Sequence, residues 1–217
     1  MRVSMKKLLK KWSFVGLSLI FIVMTLTGCS GENNDDKTAN KPEEKLYPIT
    51  IEGQEILVGQ TTVSTLLDKG FKVTVSEMTP DKQINKYEID PNEELEANSY
   101  YTGGSIQIND SLSALISLAT DEKSVKMGDA VIARLEFTFV SEDRSYLDNI
   151  QFNGVSVNEL SRDKAKEMFP DFTGDDNMWF SPASMTEYKY FLSFSWEGQL
   201  HNFYVEKKYD VDWSNKK

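Results

Sequence analysis

The sequence predicts an α+β fold of two tandem units, each a short helix packed on an antiparallel β-meander. One larger antiparallel sheet shared by both halves is the competing arrangement. Three observations support this. The 21 residues Ile51 to Phe71 align without a gap with Phe152 to Phe172, at an offset of 101. Within each copy a short helical periodicity follows a hydroxyl residue and stops at Gly or Pro. Beyond each copy apolar residues recur with period two, the pattern of half-buried strands.

The chain opens with "MRVSMKKLLKK", which carries Arg2, Lys6, Lys7, Lys10 and Lys11 and no acid. The next 17 residues, Trp12 to Gly28, carry no charge. A basic start before an apolar core is the layout of a secretory signal peptide. The run also sits at the short edge of the roughly 17–25 residues a spanning helix needs. The only cysteine ends it, in "LTGC": Leu26, Thr27, Gly28, Cys29. This stretch resembles the lipobox of bacterial lipoprotein precursors, over residues 1–29 only. The resemblance implies signal-peptidase recognition of Leu26, Thr27 and Gly28, cleavage after Gly28, and diacylglyceryl transfer to the Cys29 sulfur. Two acyl chains hold a protein stably where one holds it only reversibly. An uncleaved anchor helix and a buried core cysteine are the competing readings. Residues 1–28 are thus expected to be a lipoprotein signal peptide.

The mature chain would have 189 residues, with 19 basic and 34 acidic side chains and a formal charge of −15. Such a surface argues against nucleic acid, which binds basic proteins. Residues 29–45 are expected to be the lipidated Cys29 and a disordered acidic tether. "SGENNDDKTANKPEEK" has no large apolar side chain and cannot offset its ordering entropy. Sixteen flexible residues would span on the order of 20–25 Å.

Residues 46–145 form the first expected unit and 146–217 the second. Each opens with a strand, a Gly turn (Gly53; Asn153-Gly154) and a second strand. Thr61 or Thr62 in one copy and Ser161 in the other are plausible N-caps. Val63, Leu66 and Leu67 share one helix face, as do Ala165, Met168 and Phe169; Gly70 and Pro170 end the helices. In the first unit, Phe71 to Met78, Ser99 to Asp110 and Asp129 to Val140 read as strands, with a bulge or bend at Gly103-Gly104. "SLSALISLAT" is ambiguous and leans to strand. In the second, Tyr188, Tyr190, Leu192, Phe194 and Trp196 alternate with Glu187, Lys189 and Ser193, and Glu197-Gly198 reads as a two-residue hairpin turn. The return strand places His201, Phe203 and Val205 on one face and Leu200, Asn202 and Tyr204 on the other. The outline resembles the tandem helix-plus-sheet repeats of secreted β-lactamase inhibitor proteins in architecture, without a shared motif.

Catalytic chemistry finds little purchase. The single His, His201, lies on a strand face, and no G-x-S-x-G elbow, P-loop or G-x-G-x-x-G occurs. One His and no spare Cys leave zinc without a ligand set. Asp171, Asp175, Asp176 and Asn177 share a Gly-containing loop whose oxygens could hold calcium, although a solvated acidic turn is the plainer reading. No cofactor is expected. The aromatic pairs Tyr100-Tyr101 and Trp179-Phe180 stand out, because neighbours in a strand point to opposite faces. One of each pair must leave the core, so these four are the candidate contact surface. The expected function is a non-catalytic binding or protein-interaction module. A lipid on Cys29 would hold it to the outer face of the cytoplasmic membrane, or to the outer membrane of a cell that has one. Its partner would be an envelope protein or a small ligand. A solute-binding lipoprotein of a transporter and a carboxylate-dependent envelope hydrolase are the alternatives.

Overall fold

The computed structural model describes residues 44–110, 112–139 and 144–209. Leu26, Thr27, Gly28, Cys29 and the tether to residue 43 lie outside them. The described residues belong to one compact unit, residues 42–217, built mostly of antiparallel strands with few helices. The first half holds β1 (Ile49–Ile51), β2 (Gln54–Ile56), α1 (Val63–Asp68), β3 (Lys72–Met78), β4 (Ile84–Glu88), β5 (Glu94–Leu95), β6 (Tyr100–Gln107), β7 (Ser113–Ala119), β8 (Val125–Lys126) and β9 (Val131–Thr138). The second holds β10 (Ile150–Phe152), β11 (Val155–Ser156), α2 (Arg162–Met168), β12 (Thr173–Gly174), β13 (Met178–Phe180), β14 (Tyr188–Phe194) and β15 (Leu200–Lys207).

Glu52 and Gly53 both have positive φ, 50° and 76°, and Asn153 and Gly154 repeat this at 50° and 78°. Two successive left-handed residues give the tight turn whose twist suits a hairpin. The hairpins β1–β2 and β10–β11 therefore recur at the offset of 101. They meet through their first strands, with Ile49 opposite Phe152, Thr50 opposite Gln151 and Ile51 opposite Ile150. The pairing is symmetric about Thr50 and Gln151. Beyond it, Glu52 N–H donates to the Asn149 carbonyl and Asn153 N–H to the Pro48 carbonyl, each at 2.8 Å.

A helix follows each hairpin, too short to persist alone. Thr62 Oγ1 accepts from Thr65 N–H, and Ser161 Oγ from Lys164 N–H, both at 3.2 Å. Each cap forms one isolated bridge: Thr62 with Val131 of β9, and Ser161 with Gln199 just before β15. Val63, Leu66 and Ala165 are buried.

The large sheet has nine strands in the order β12-β13-β14-β15-β9-β7-β6-β3-β4. Its two halves join where β15 pairs with β9, with Phe203 opposite Phe137 and Val205 opposite Leu135. The four-stranded and nine-stranded sheets thus take strands from either side of residue 145, and the larger one is the shared antiparallel sheet that the sequence left open as the alternative; β5 and β8 pair apart, as a two-stranded sheet. The hairpins cover its inner face. Phe152 stacks on Phe203 at 5.4 Å and on Phe169 at 5.1 Å, while Tyr47 stands edge-on to Phe169, Phe172 and Tyr190. Tyr190, its hydroxyl accepting from Tyr47 N–H, has its pKa pushed up to about 12 by burial.

The hairpin β14–β15 corrects two expectations. A register shift between Ser193 and Phe194 makes Leu200 the partner of Phe194. Leu200 is therefore buried with Phe203, and His201 is exposed rather than sharing their face. The turn after β14 covers Trp196, Glu197 and Gly198, so Trp196 leaves the strand face and stands 86% exposed. The expected break at Gly103-Gly104 is a register shift between Tyr101 and Gly104. Strands β4, β5 and β8 had no clear alternation to announce them.

Phe152 links the small sheet to the large one. Phe152→Ala should cost about 3–5 kcal/mol. At roughly 2–4 °C per kcal/mol for a chain of this size, the melting temperature should fall by about 10 °C. Differential scanning calorimetry checks it.

Candidate functional site

The inner face of the large sheet is core; the outer face has no described element packed on it. Direct cross-strand partners share a face, so the register defines one row across all nine strands. It runs Thr173, Phe180, Phe191, Tyr204, Glu136, Leu115, Ser105, Thr74, Glu88. Three aromatics stand side by side on β13, β14 and β15. Phe180 lies 5.0 Å from Phe191, and Phe191 stacks on Tyr204 at 5.1 Å. Phe180 is 37% exposed. Across the junction, matching strands carry Glu136, Leu115 and Ser105. The fold therefore does without aromatics at these positions in one half and displays three in the other.

Charges flank the ladder. The Arg134 guanidinium lies 3.8 Å from the Tyr204 ring centre, and Lys189 Nζ reaches to 5.5 Å. Arg134 pairs with Glu136 at 2.7 Å and with Glu206 at 3.4 Å. Tyr100 donates to Glu206 at 3.1 Å, and Asn202 Nδ2 to Glu136 at 3.2 Å. Burial pulls the Arg134 pKa down, but the two carboxylates outweigh it and the net shift is upward. Burial is also the main cause raising the Tyr100 pKa. These side chains border a recess of about 260 Å³ beside the ladder.

The four aromatics singled out from sequence separate by face. Phe180 and Tyr100 reach the outer face. Trp179 lies opposite buried Leu192 and packs on the core, with its Nε1 buried and unpartnered. Tyr101 packs on the core too, donating to the Ser76 carbonyl at 3.4 Å. Phe191, Tyr204 and Arg134 were not singled out. The signal was present: they alternate out of phase with Leu192, Phe203 and Leu135.

The acidic loop does not converge on a common point. Asp175 accepts from the N–H groups of Asn177 and Met178, both at 2.8 Å, which hold its pKa below the usual carboxylate value. Asn177 accepts from Arg162, Asp176 lies 4.0 Å from Lys166, and Asp171 borders a separate recess with Tyr47. Among the described residues no three His, Cys, Asp or Glu side chains gather to hold a metal. Another recess, about 710 Å³, is lined in part by Asp121, Glu122, Asp129 and Tyr209.

Glu44 lies within the expected tether yet is bound to the body. Its carboxylate accepts from the N–H groups of Thr186, Glu187 and Tyr188, the last two at 2.9 and 3.1 Å. Burial raises its pKa, but the combined hydrogen bonds overcome this and leave it below the ordinary 4.5. A lowered folded value means the contact stabilises above the ordinary pKa and is lost as pH falls through the folded one. Glu44→Gln should lower the melting temperature at pH 7 by about 2–4 °C, if the charged contact contributes on the order of 1 kcal/mol. The difference between variant and parent should shrink toward zero as the pH of the melt is taken below 4.

Comparison with protein-family models, with curated proteins and with solved structures gave no match to this chain.

Proposed function

We propose that this chain is a membrane-anchored extracytoplasmic lipoprotein acting as a non-catalytic interaction module. The outer face of its large sheet is the contact surface. The single observation that carries this reading is the ladder Phe180–Phe191–Tyr204 on a face that no described element covers. Aromatic rings beside an arginine are the side chains that concentrate binding energy at protein interfaces. Arg134 is already paired with Glu136 and Glu206, so little ordering of these three is left for the moment of binding. The asymmetry between the two halves supports a functional reason for the rings, because the same strand positions in the first half manage without them.

We infer also that the body is one α+β unit used twice. In the first, α1 leads to the meander β3-β6-β7-β9; in the second, α2 leads to β12-β13-β14-β15. The recurrent hairpins and the symmetric β1–β10 pairing support it. The anchor rests on "LTGC" at the end of an uncharged run. An acidic body repels anionic headgroups, which suits a module held away from the bilayer.

A photo-reactive phenylalanine analogue placed at position 180 or 204 of the full-length protein in intact cells should give discrete protein adducts. The same analogue at position 196, in the exposed turn, should not. Equal adducts from all three positions, or none from 180 and 204, would reject the surface. Mass spectrometry of the membrane fraction should find a chain starting at Cys29 and carrying diacylglyceryl; an intact N-terminus with a free thiol would reject the anchor.

A further inference from the structure

We propose that the recess beside the aromatic ladder receives a lysine or arginine of the partner protein, while an apolar neighbour of that residue packs on Phe180 and Phe191. This rests on the interaction-surface reading above and names what the surface selects.

Ring geometry argues against a sugar stacked on Tyr204. A glycan stacks on an exposed ring face. Both faces of Tyr204 are taken, because β14 and β9 flank β15 from opposite sides. Phe191 stacks on one face, with planes 25° apart, and the Arg134 guanidinium covers the other at 3.8 Å. Tyr204 therefore offers its edge, and the clefts beside it admit aliphatic side chains. Proximity of acids sets the charge preference. Glu136 and Glu206 converge on the one guanidinium of Arg134, so the side chains lining the recess sum to a formal −1, while Lys189, across from Glu206 on β14, stands outside that lining and over the Tyr204 ring. Both carboxylates are only partly exposed, at 25% and 26%, where a cation is screened less than on open surface. Each already accepts a neutral donor, Asn202 Nδ2 at Glu136 and the Tyr100 hydroxyl at Glu206. Their positions are thus fixed before a cation arrives. Exposed Leu115, on the strand beside Glu136, adds an apolar wall. Long-range charge acts in the same direction. The chain carries −10 at pH 7, which steers cationic partners inward and opposes a second copy of itself.

The test is selection of random 12-residue peptides, displayed on phage, against the full-length protein in detergent. Selected peptides should be enriched severalfold in Lys or Arg next to an aliphatic or aromatic residue. Synthetic copies should bind at least tenfold more weakly to Glu136→Gln/Glu206→Gln and to Phe180→Ala. Thermal melts, with Glu206→Gln alone as the milder variant, show that loss of binding is not loss of fold. Peptides that are acidic or uncharged, yet need Phe180, would overturn the cation preference and leave the surface standing. Peptides indifferent to Phe180→Ala, or no selected peptide at all, would overturn both.

Discussion

Two three-residue strands, β1 and β10, hold this structure to its plan. Alone, each hairpin is too small to be stable in water. Paired antiparallel about Thr50 and Gln151, they make a four-stranded sheet with one apolar face. That face seats Phe152 among Phe169, Tyr190 and Phe203, so both hairpins lock onto strands of the large sheet. The chain has a single cysteine and so no internal disulfide. Burial against this small sheet holds the hairpins in place without a cross-link.

One layer of hairpins and short helices covers one face of nine strands. The other face meets solvent, the usual state of an antiparallel sheet with a one-sided core. Such a face is normally polar, and toward β6 and β3 it carries Ser105 and Thr74, whose hydroxyls bond to each other and are themselves buried. From β15 to β13 it is not polar. The aromatic ladder there is braced by Arg134, itself held by Glu136 and Glu206. Preorganised charge beside fixed rings loses little entropy on contact, and this sets the face apart from the acidic remainder of the surface.

Attachment of the expected tether follows from the same geometry. Glu44 lays its carboxylate across three successive N–H groups at the start of β14. Those donors belong to residues 186–188, at the point where the strand enters the sheet, and the acid gives them partners that β-pairing does not.

The sequence by itself determined the local elements. Thr62 and Ser161 announced the helix starts, Gly53 and Gly154 the hairpins, and alternation the strands β9, β14 and β15. These are nearest-neighbour effects, written in side-chain chemistry and period. It also placed Tyr204 and Arg134 on faces opposite the core residues of their own strands. Tertiary structure alone decided which faces became neighbours. The union of both halves in one sheet depends on β15 meeting β9, a pairing between residues some 70 apart that no local period encodes. The bulge at Ser193/Phe194 turned His201 outward and Leu200 inward, because one inserted residue exchanges the faces on its far side while Phe203 and Val205 keep theirs. The ladder, the Arg134 bracket and the Glu44 clamp each join distant segments. They exist only once the strands are in register, because register brings side chains from separate strands within contact distance.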